Sequence, residues 1–102
     1  MADSTQGQAI DIQHEESDGR GAFFVERQGV RLGEMTYSRA GDELIIIDHT
    51  EVHEKLQGMG VARRLLDAAV TWARATKTKV MATCPYAKAQ FAKDASLRDA
   101  LA

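Results

Sequence analysis

The chain has 102 residues, 44% hydrophobic and 27% charged, with 13 Lys and Arg against 15 Asp and Glu. That length and composition fit one domain around a single core, and a net charge of −2 offers no general attraction for nucleic acid or an anionic membrane. No apolar run approaches the roughly 20 residues that span a bilayer, the first residues lack a signal peptide's apolar stretch, and the lone Cys84 can close neither an internal disulfide nor a CxxC pair, so a cytoplasmic protein is expected.

Residues 1–9 carry Ser, Thr, Gln and Gly with little apolar content and read as a disordered tail ahead of a single domain over 10–102. From Ile10 the pattern has period two, with Ile10, Ile12 and His14 alternating against Asp11, Gln13 and Glu15, which predicts a half-buried strand ending at the Asp18-Gly19 turn. Gly21 to Glu26 and Val30 to Tyr37 read as two further strands at hairpin spacing around Gln28-Gly29. In the latter, Val30 and Leu32 lie on one phase and Met35 and Tyr37 on the other, so a bulge at Gly33 is expected. Glu43 to Val52 contains Leu44-Ile45-Ile46-Ile47, apolar on both phases, and predicts a central strand covered on both faces.

A short polar connection with Gly58 and Gly60 then leads into a helix, where Val61, Leu65, Ala68, Ala69, Trp72 and Thr76 recur on one face. Lys79 to Thr83 reads as a short strand, and Pro85 opens a second helix through about Phe91. Trp72 and Met81 are expected in the core. Early hairpins followed by a strand-helix-strand crossover predict an α+β fold with a mixed, mostly antiparallel sheet flanked by helices.

The segment from Val52 to Ala62 joins a strand to a helix through glycines, a geometry suited to an anion because the helix start offers free N–H groups and the positive end of its dipole. Three other readings fail on the letters. Gly58-Met59-Gly60-Val61-Ala62-Arg63 lacks the third glycine of the dinucleotide fingerprint, GxxxxGK[ST] is absent, and His53-Glu54-Lys55-Leu56-Gln57 begins like HExxH but ends in Gln. His49 and His53 lie four apart in a strand-like segment and would not share a face, so no metal is expected.

Gln57, Gly60 and Ala62 match the pattern [QR]-x-x-G-x-[GA] after a valine that ends a strand. Here the sequence resembles the GNAT superfamily of acyl-CoA-dependent N-acetyltransferases, whose core has the same order of strands and helices. Asp48-His49-Thr50-Glu51-Val52 and Cys84-Pro85-Tyr86 sharpen the resemblance to its very small, single-domain YjdJ-like branch. Only a turn separates the first two strand-like runs, where larger members place helices that help form the acceptor site.

The resemblance implies acetyl-CoA as cosubstrate, its pyrophosphate on the loop formed by Val52, His53, Gln57, Gly58, Met59, Gly60, Val61 and Ala62. It also implies a thioester near Cys84 and Tyr86, and a small-molecule or peptide amine as acceptor. His49 and Glu51 share the strand phase of Ile45 and Ile47 and could face the thioester, either one accepting the amine's proton; the plainer alternatives are a hydrogen-bonded strand-end histidine and a solvated carboxylate. Tyr86 could protonate the leaving thiolate or simply lie against the sheet. Cys84 could accept the acyl group or fill space as a small hydrophobe. Arg63 or Arg64 could reach a phosphate of the cosubstrate. Two other functions fit the same letters: a CoA- or acyl-CoA-binding module with little catalysis, and a small protein-interaction domain whose glycine loop is only a turn. The sequence leaves the acceptor and the oligomeric state open.

Overall fold

Two short turns fold the first half of the chain into consecutive hairpins. Asp18-Gly19 (φ 55° and 79°) and Gln28-Gly29 (φ 53° and 79°) are both left-handed pairs, the turn whose twist matches that of the flanking strands. They join β1 (Gln13–Ser17) to β2 (Arg20–Arg27) and β2 to β3 (Val30–Arg39), after which a longer turn leads to β4 (Leu44–Val52). A 3-10 turn over Glu54–Leu56 precedes α1 (Val61–Ala75), followed by β5 (Lys79–Ala82), α2 (Pro85–Lys93) and 3-10 turns over Ala95–Ala100. These elements come from a computed structural model that describes residues 10–102; the tail expected over 1–9 lies outside the described residues.

The five strands lie in sequence order, antiparallel from β1 to β4, with β5 parallel to β4. This is the expected α+β arrangement with boundaries moved by a few residues. β1 begins at Gln13 rather than Ile10 because its pairing with β2 starts at Gln13 and Phe24, although Ile10 and Ile12 still pack against the core. The bulge forms beside Gly33: Val25 pairs with Gly33 and Glu26 with Arg31, leaving Leu32 as the extra residue. Leu32, Met35 and Tyr37 are thereby all buried on one face. A Cβ on Gly33 would stand 3.4 Å from Val61 Cγ1, so the missing side chain also lets α1 start close against the sheet.

One core cluster holds Met35, Ile45, Ile47 and Val80 from the sheet together with Leu65 of α1 and Phe91 of α2, so both helices lie on the same side. Two expectations change as a result. Among the described residues β4 is covered by helices on one face only, leaving Leu44 and Ile46 half-buried on the other. Met81, which pairs with Ile46 across β4 and β5, is 45% exposed and does not belong to the core. On α1 the buried stripe is wider than a single face. Leu66, Val70 and Ala73 join it because the 3-10 turns over Ala95–Ala100 bring Leu97 and Ala100 into the same cluster, whereas Thr76 is exposed and Trp72 half-buried. Beyond those turns Leu101 bridges Val80 in parallel, and the Ala102 N–H donates to the Val80 carbonyl at 2.8 Å. No helix among the described residues is long and apolar enough to cross a membrane.

Candidate active site

The site begins where β4 and β5 part. Their pairing runs from Leu44 and Lys79 to Ile47 and Ala82, and the N–H groups of Thr83 and Cys84 then both close on the Ile47 carbonyl at 2.9 and 3.2 Å. β4 continues to Val52 while the other chain turns away into α2, because Pro85 at its first turn has no N–H with which to continue a ladder. A gap is left beside the last five residues of β4. The His53 N–H reaches the Leu32 carbonyl on β3 at 2.7 Å, so residue-by-residue alternation directs the main-chain groups of Thr50 and Val52 away from β3 and into that gap.

The far end of the gap is closed by the loop before α1. His53 Nδ1 accepts from the Lys55 N–H at 3.0 Å and caps the 3-10 turn, while Gln57 Nε2 donates to the Val52 carbonyl at 3.4 Å. Gly58 (φ 82°) and Gly60 (φ 72°) then carry the chain through left-handed conformations into the helix. The Met59 N–H is used internally, donating to the Leu56 carbonyl at 3.3 Å. The first hydrogen bond of α1 runs from the Arg64 N–H to the Gly60 carbonyl at 3.1 Å, and Gly60 provides no side-chain cap. Helix geometry therefore leaves the N–H groups of Val61, Ala62 and Arg63 pointing out of the helix start, where its dipole is positive. An open groove of about 390 Å³ lies here, lined by Val52, Gln57, Gly58, Gly60, Val61 and Ala62 of the loop together with Leu56, Arg63 and Tyr86. α2 also begins beside it, without a side-chain cap at Cys84, and adds a second positive helix end.

Tyr86, expected near a thioester, lines the groove together with the glycine loop, and burial pushes its hydroxyl pKa up, which keeps the proton on the ring oxygen. Cys84 is buried with its Sγ 3.2 Å from Thr50 Oγ1. The phase expected for His49 and Glu51 is wrong. β3 and β4 pair as Tyr37 with Ile47 and then Thr36 with His49, so Asp48 is an extra residue in a second bulge. That bulge reverses the alternation: Thr50 and Val52 turn toward the helices, whereas His49 and Glu51 project from the uncovered face, with side chains 57% and 72% exposed. There His49 Nε2 lies 3.3 Å from Glu51 Oε1. Thr50 is the site residue that a uniform alternation misses. The signal was the odd spacing between Ile47 and the pair Thr50 and Val52.

Of the two arginines expected near a phosphate, Arg63 is committed elsewhere. It donates to Asp67 and Gln90 at 2.9 Å each and binds Asp94, tying the first turn of α1 to α2, and these carboxylates push its pKa further up. Arg64 is exposed in the same turn. Among the described residues no three metal-ligating side chains come together.

Comparison with known proteins agrees with this geometry. Residues 22–100 match the family described as GCN5-related N-acetyl-transferase. A GCN5-like protein of Staphylococcus aureus has 31% identity, with 91% of this chain and 88% of that one covered at a TM-score of 0.67. The ribosomal-protein-alanine N-acetyltransferase of Brucella melitensis biovar Abortus 2308 shares the fold at 17% identity and a TM-score of 0.62, covering 76% of this chain and 81% of its own. A GNAT-family acetyltransferase of Elizabethkingia anophelis with acetyl-CoA bound shares it at 18% identity and a TM-score of 0.53, covering 63% and 42%. No curated protein matches by sequence. With more than three-quarters of its length inside the family match, and the sheet and crossover of that fold, the chain belongs to the GCN5-related N-acetyltransferase family.

Proposed function

We propose that the protein transfers the acetyl group of acetyl-CoA to a primary amine, holding the cosubstrate in the gap between β4 and β5. The observation that carries this reading is the groove itself: parted strands expose main-chain groups, and an uncapped helix start with two glycines stands at their end. At Gly58 and Gly60 a Cβ would meet nothing within 4 Å, so the loop leaves open space for a ligand to approach its backbone. The N–H groups of Val61, Ala62 and Arg63 suit a pyrophosphate, and the Thr50 and Val52 main chain suits the amides of the pantetheine arm.

The two sides of the gap divide the chemistry. His49 and Glu51 stand on the uncovered face, from which an amine can approach, and His49 takes the amine's proton while Glu51 orients the imidazole. As the C–N bond forms and the C–S bond breaks, Tyr86 on the helix side gives its proton to the departing sulfur. Cys84, buried beneath Thr50, is the candidate for an acyl intermediate if transfer takes two steps. The small size of the fold supports reading it as a member of the very small, YjdJ-like branch of the superfamily.

Thermal unfolding with acetyl-CoA, CoA and NAD in parallel tests the binding half. A ligand at 100 times its Kd adds roughly 2.7 kcal/mol, on the order of ten degrees or more for a domain of this size. Both CoA species are expected to raise Tm and NAD to leave it unchanged; no shift with any of the three would overturn the reading. For the chemistry, CoA release from acetyl-CoA is followed with a panel of primary amines. Tyr86→Phe is expected to lower kcat about a hundredfold while acetyl-CoA affinity stays within about twofold. Unchanged kcat in each of His49→Ala, Glu51→Gln, Tyr86→Phe and Cys84→Ala would remove the catalytic roles given to these side chains, whereas CoA binding without CoA release for any amine would leave a binding module.

A further inference from the structure

We infer that Asp48 is a positioning residue that fixes where the β4 bulge falls and so decides which side chains face the acetyl-transfer gap; this rests on the proposed site. The apolar pattern requires one extra residue between Ile47, buried on the helix side, and Thr50, turned to the same side, but it does not say whether Asp48 or His49 takes that place. The side-chain bonds decide it. Asp48 Oδ1 accepts the Thr36 hydroxyl proton at 2.5 Å, and Oδ2 accepts that of Ser38 at 3.1 Å. Both donors belong to β3. Thr36 is the partner of His49 and Ser38 the partner of Ile46, so the carboxylate straps the two positions on either side of the irregularity. Arg20 on β2 closes the cluster, donating to Ser38 Oγ at 2.9 Å and standing 3.6 Å from Asp48 Oδ2.

A bulge held this way leaves His49 beside Thr36 on the uncovered face, in reach of Glu51, with Thr50 opposite Cys84. If the irregularity moved one residue along β4, His49 would become the extra residue and its ring would leave that arrangement. The loop after Val52, anchored by the His53 N–H on Leu32, would stay in place. The inference therefore separates catalysis from cosubstrate binding. Loss of the strap acts on turnover, and the groove at Gly58 to Arg63 keeps its shape.

The test uses the full chain with Asp48→Ala, Asp48→Asn and Thr36→Val. Thr36→Val removes the principal donor while keeping the carboxylate and a methyl group. NMR reads the cross-strand proximity of the His49 ring to the methyl of residue 36. The proposal expects this contact to be lost in Asp48→Ala and Thr36→Val and kept in Asp48→Asn, whose amide can still bond both hydroxyls. CoA release with the amine panel is expected to fall about tenfold in the first two variants and to stay within threefold in Asp48→Asn, with acetyl-CoA affinity unchanged within twofold in all three. Retention of the His49 contact in folded Asp48→Ala would overturn the proposal whether or not any amine is acetylated, so its failure is distinct from failure of the acetyl-transfer reading. Wild-type rates in Thr36→Val alongside a tenfold loss in both Asp48 variants would also overturn it, because Asp48 would then act through its charge.

Discussion

Gly21 and Gly60 lack a side chain for opposite reasons, and the same substitution separates them. At Gly60 (φ 72°) a Cβ would stand in open space, so alanine costs the strain of left-handed backbone, about 1–2 kcal/mol, and a Tm lower by roughly 4–8 °C per kcal/mol. If the groove holds acetyl-CoA as proposed, its affinity should fall as well, since the new methyl group enters the open space beside the loop. At Gly21 a Cβ would lie 2.3 Å from Tyr37 Cζ, inside the ring of its cross-strand partner, so Gly21→Ala should lower Tm further yet leave acetyl-CoA affinity intact in whatever fraction folds. Equilibrium unfolding and ligand titration of both variants check this. The loop glycines were legible because their conformation is set within a few residues of chain. The direction of His49 was not, because a bulge strapped from β3 decides it, and strict alternation carries no information about a neighbouring strand.

At the scale of elements, β1 shows what ties an edge strand down. All five of its residues are exposed, yet His14 stacks on Phe23 at 4.0 Å and Glu16 takes the Tyr37 hydroxyl proton at 3.0 Å and two bonds from Arg39. Tyr37 has one proton to give, so the 2.7 Å contact with His14 Nε2 requires that nitrogen to carry a proton too. Arg39, followed by the Tyr37 hydroxyl, holds the Glu16 carboxyl down to about 2. A folded-state pKa below the ordinary value near 4.5 means that the unfolded chain binds more protons in between, so this contribution is complete above pH 4.5 and is lost as pH falls toward 2. Asp94, lowered to about 2 by Ser96 and Arg63, adds to the same window. Glu16→Gln should therefore flatten the stability profile between about pH 4.5 and 2 in part, leaving the Asp94 share, as urea unfolding across that range will show. An undiminished slope would mean that the Glu16 carboxylate gains nothing on folding. The period-two pattern foretold the strand and its turn, but which charges would meet across β1 and β3 depended on register and could be read only from the fold.

For the whole molecule the governing fact is that the described residues form a sheet with helices on one side only. The other face carries the His49 and Glu51 pair, from which the proposed reaction has the acceptor approach, and it must also resist association with other sheets. Sequence composition could not reveal this, because Leu44, Ile46 and Met81 have the letters of a buried strand, and among the described residues no second helix layer covers them. Arg31 supplies part of the missing cover. Its guanidinium lies 3.7 Å over the Phe24 ring, held there by Glu15 and Glu34 at 3.2 Å each, and Phe24 is only 6% exposed despite facing away from the helices. Cation–π attraction and the covering stem together are worth on the order of 1 kcal/mol, so Arg31→Ala should cost about that in stability. Its larger effect should be on the state of assembly. With Phe24 uncovered, the open face gains a second apolar patch on β2, separate from Ile46 and Met81 at the other end of the sheet, and sedimentation at rising concentration should show Arg31→Ala associating more strongly than the parent chain. Arg31→Lys, which keeps a covering stem and a charge but not the planar fork, should fall between them. If Arg31→Ala associates no more than the parent, Arg31 is not what shields this face, and the carboxylates around it are sufficient to keep sheets apart.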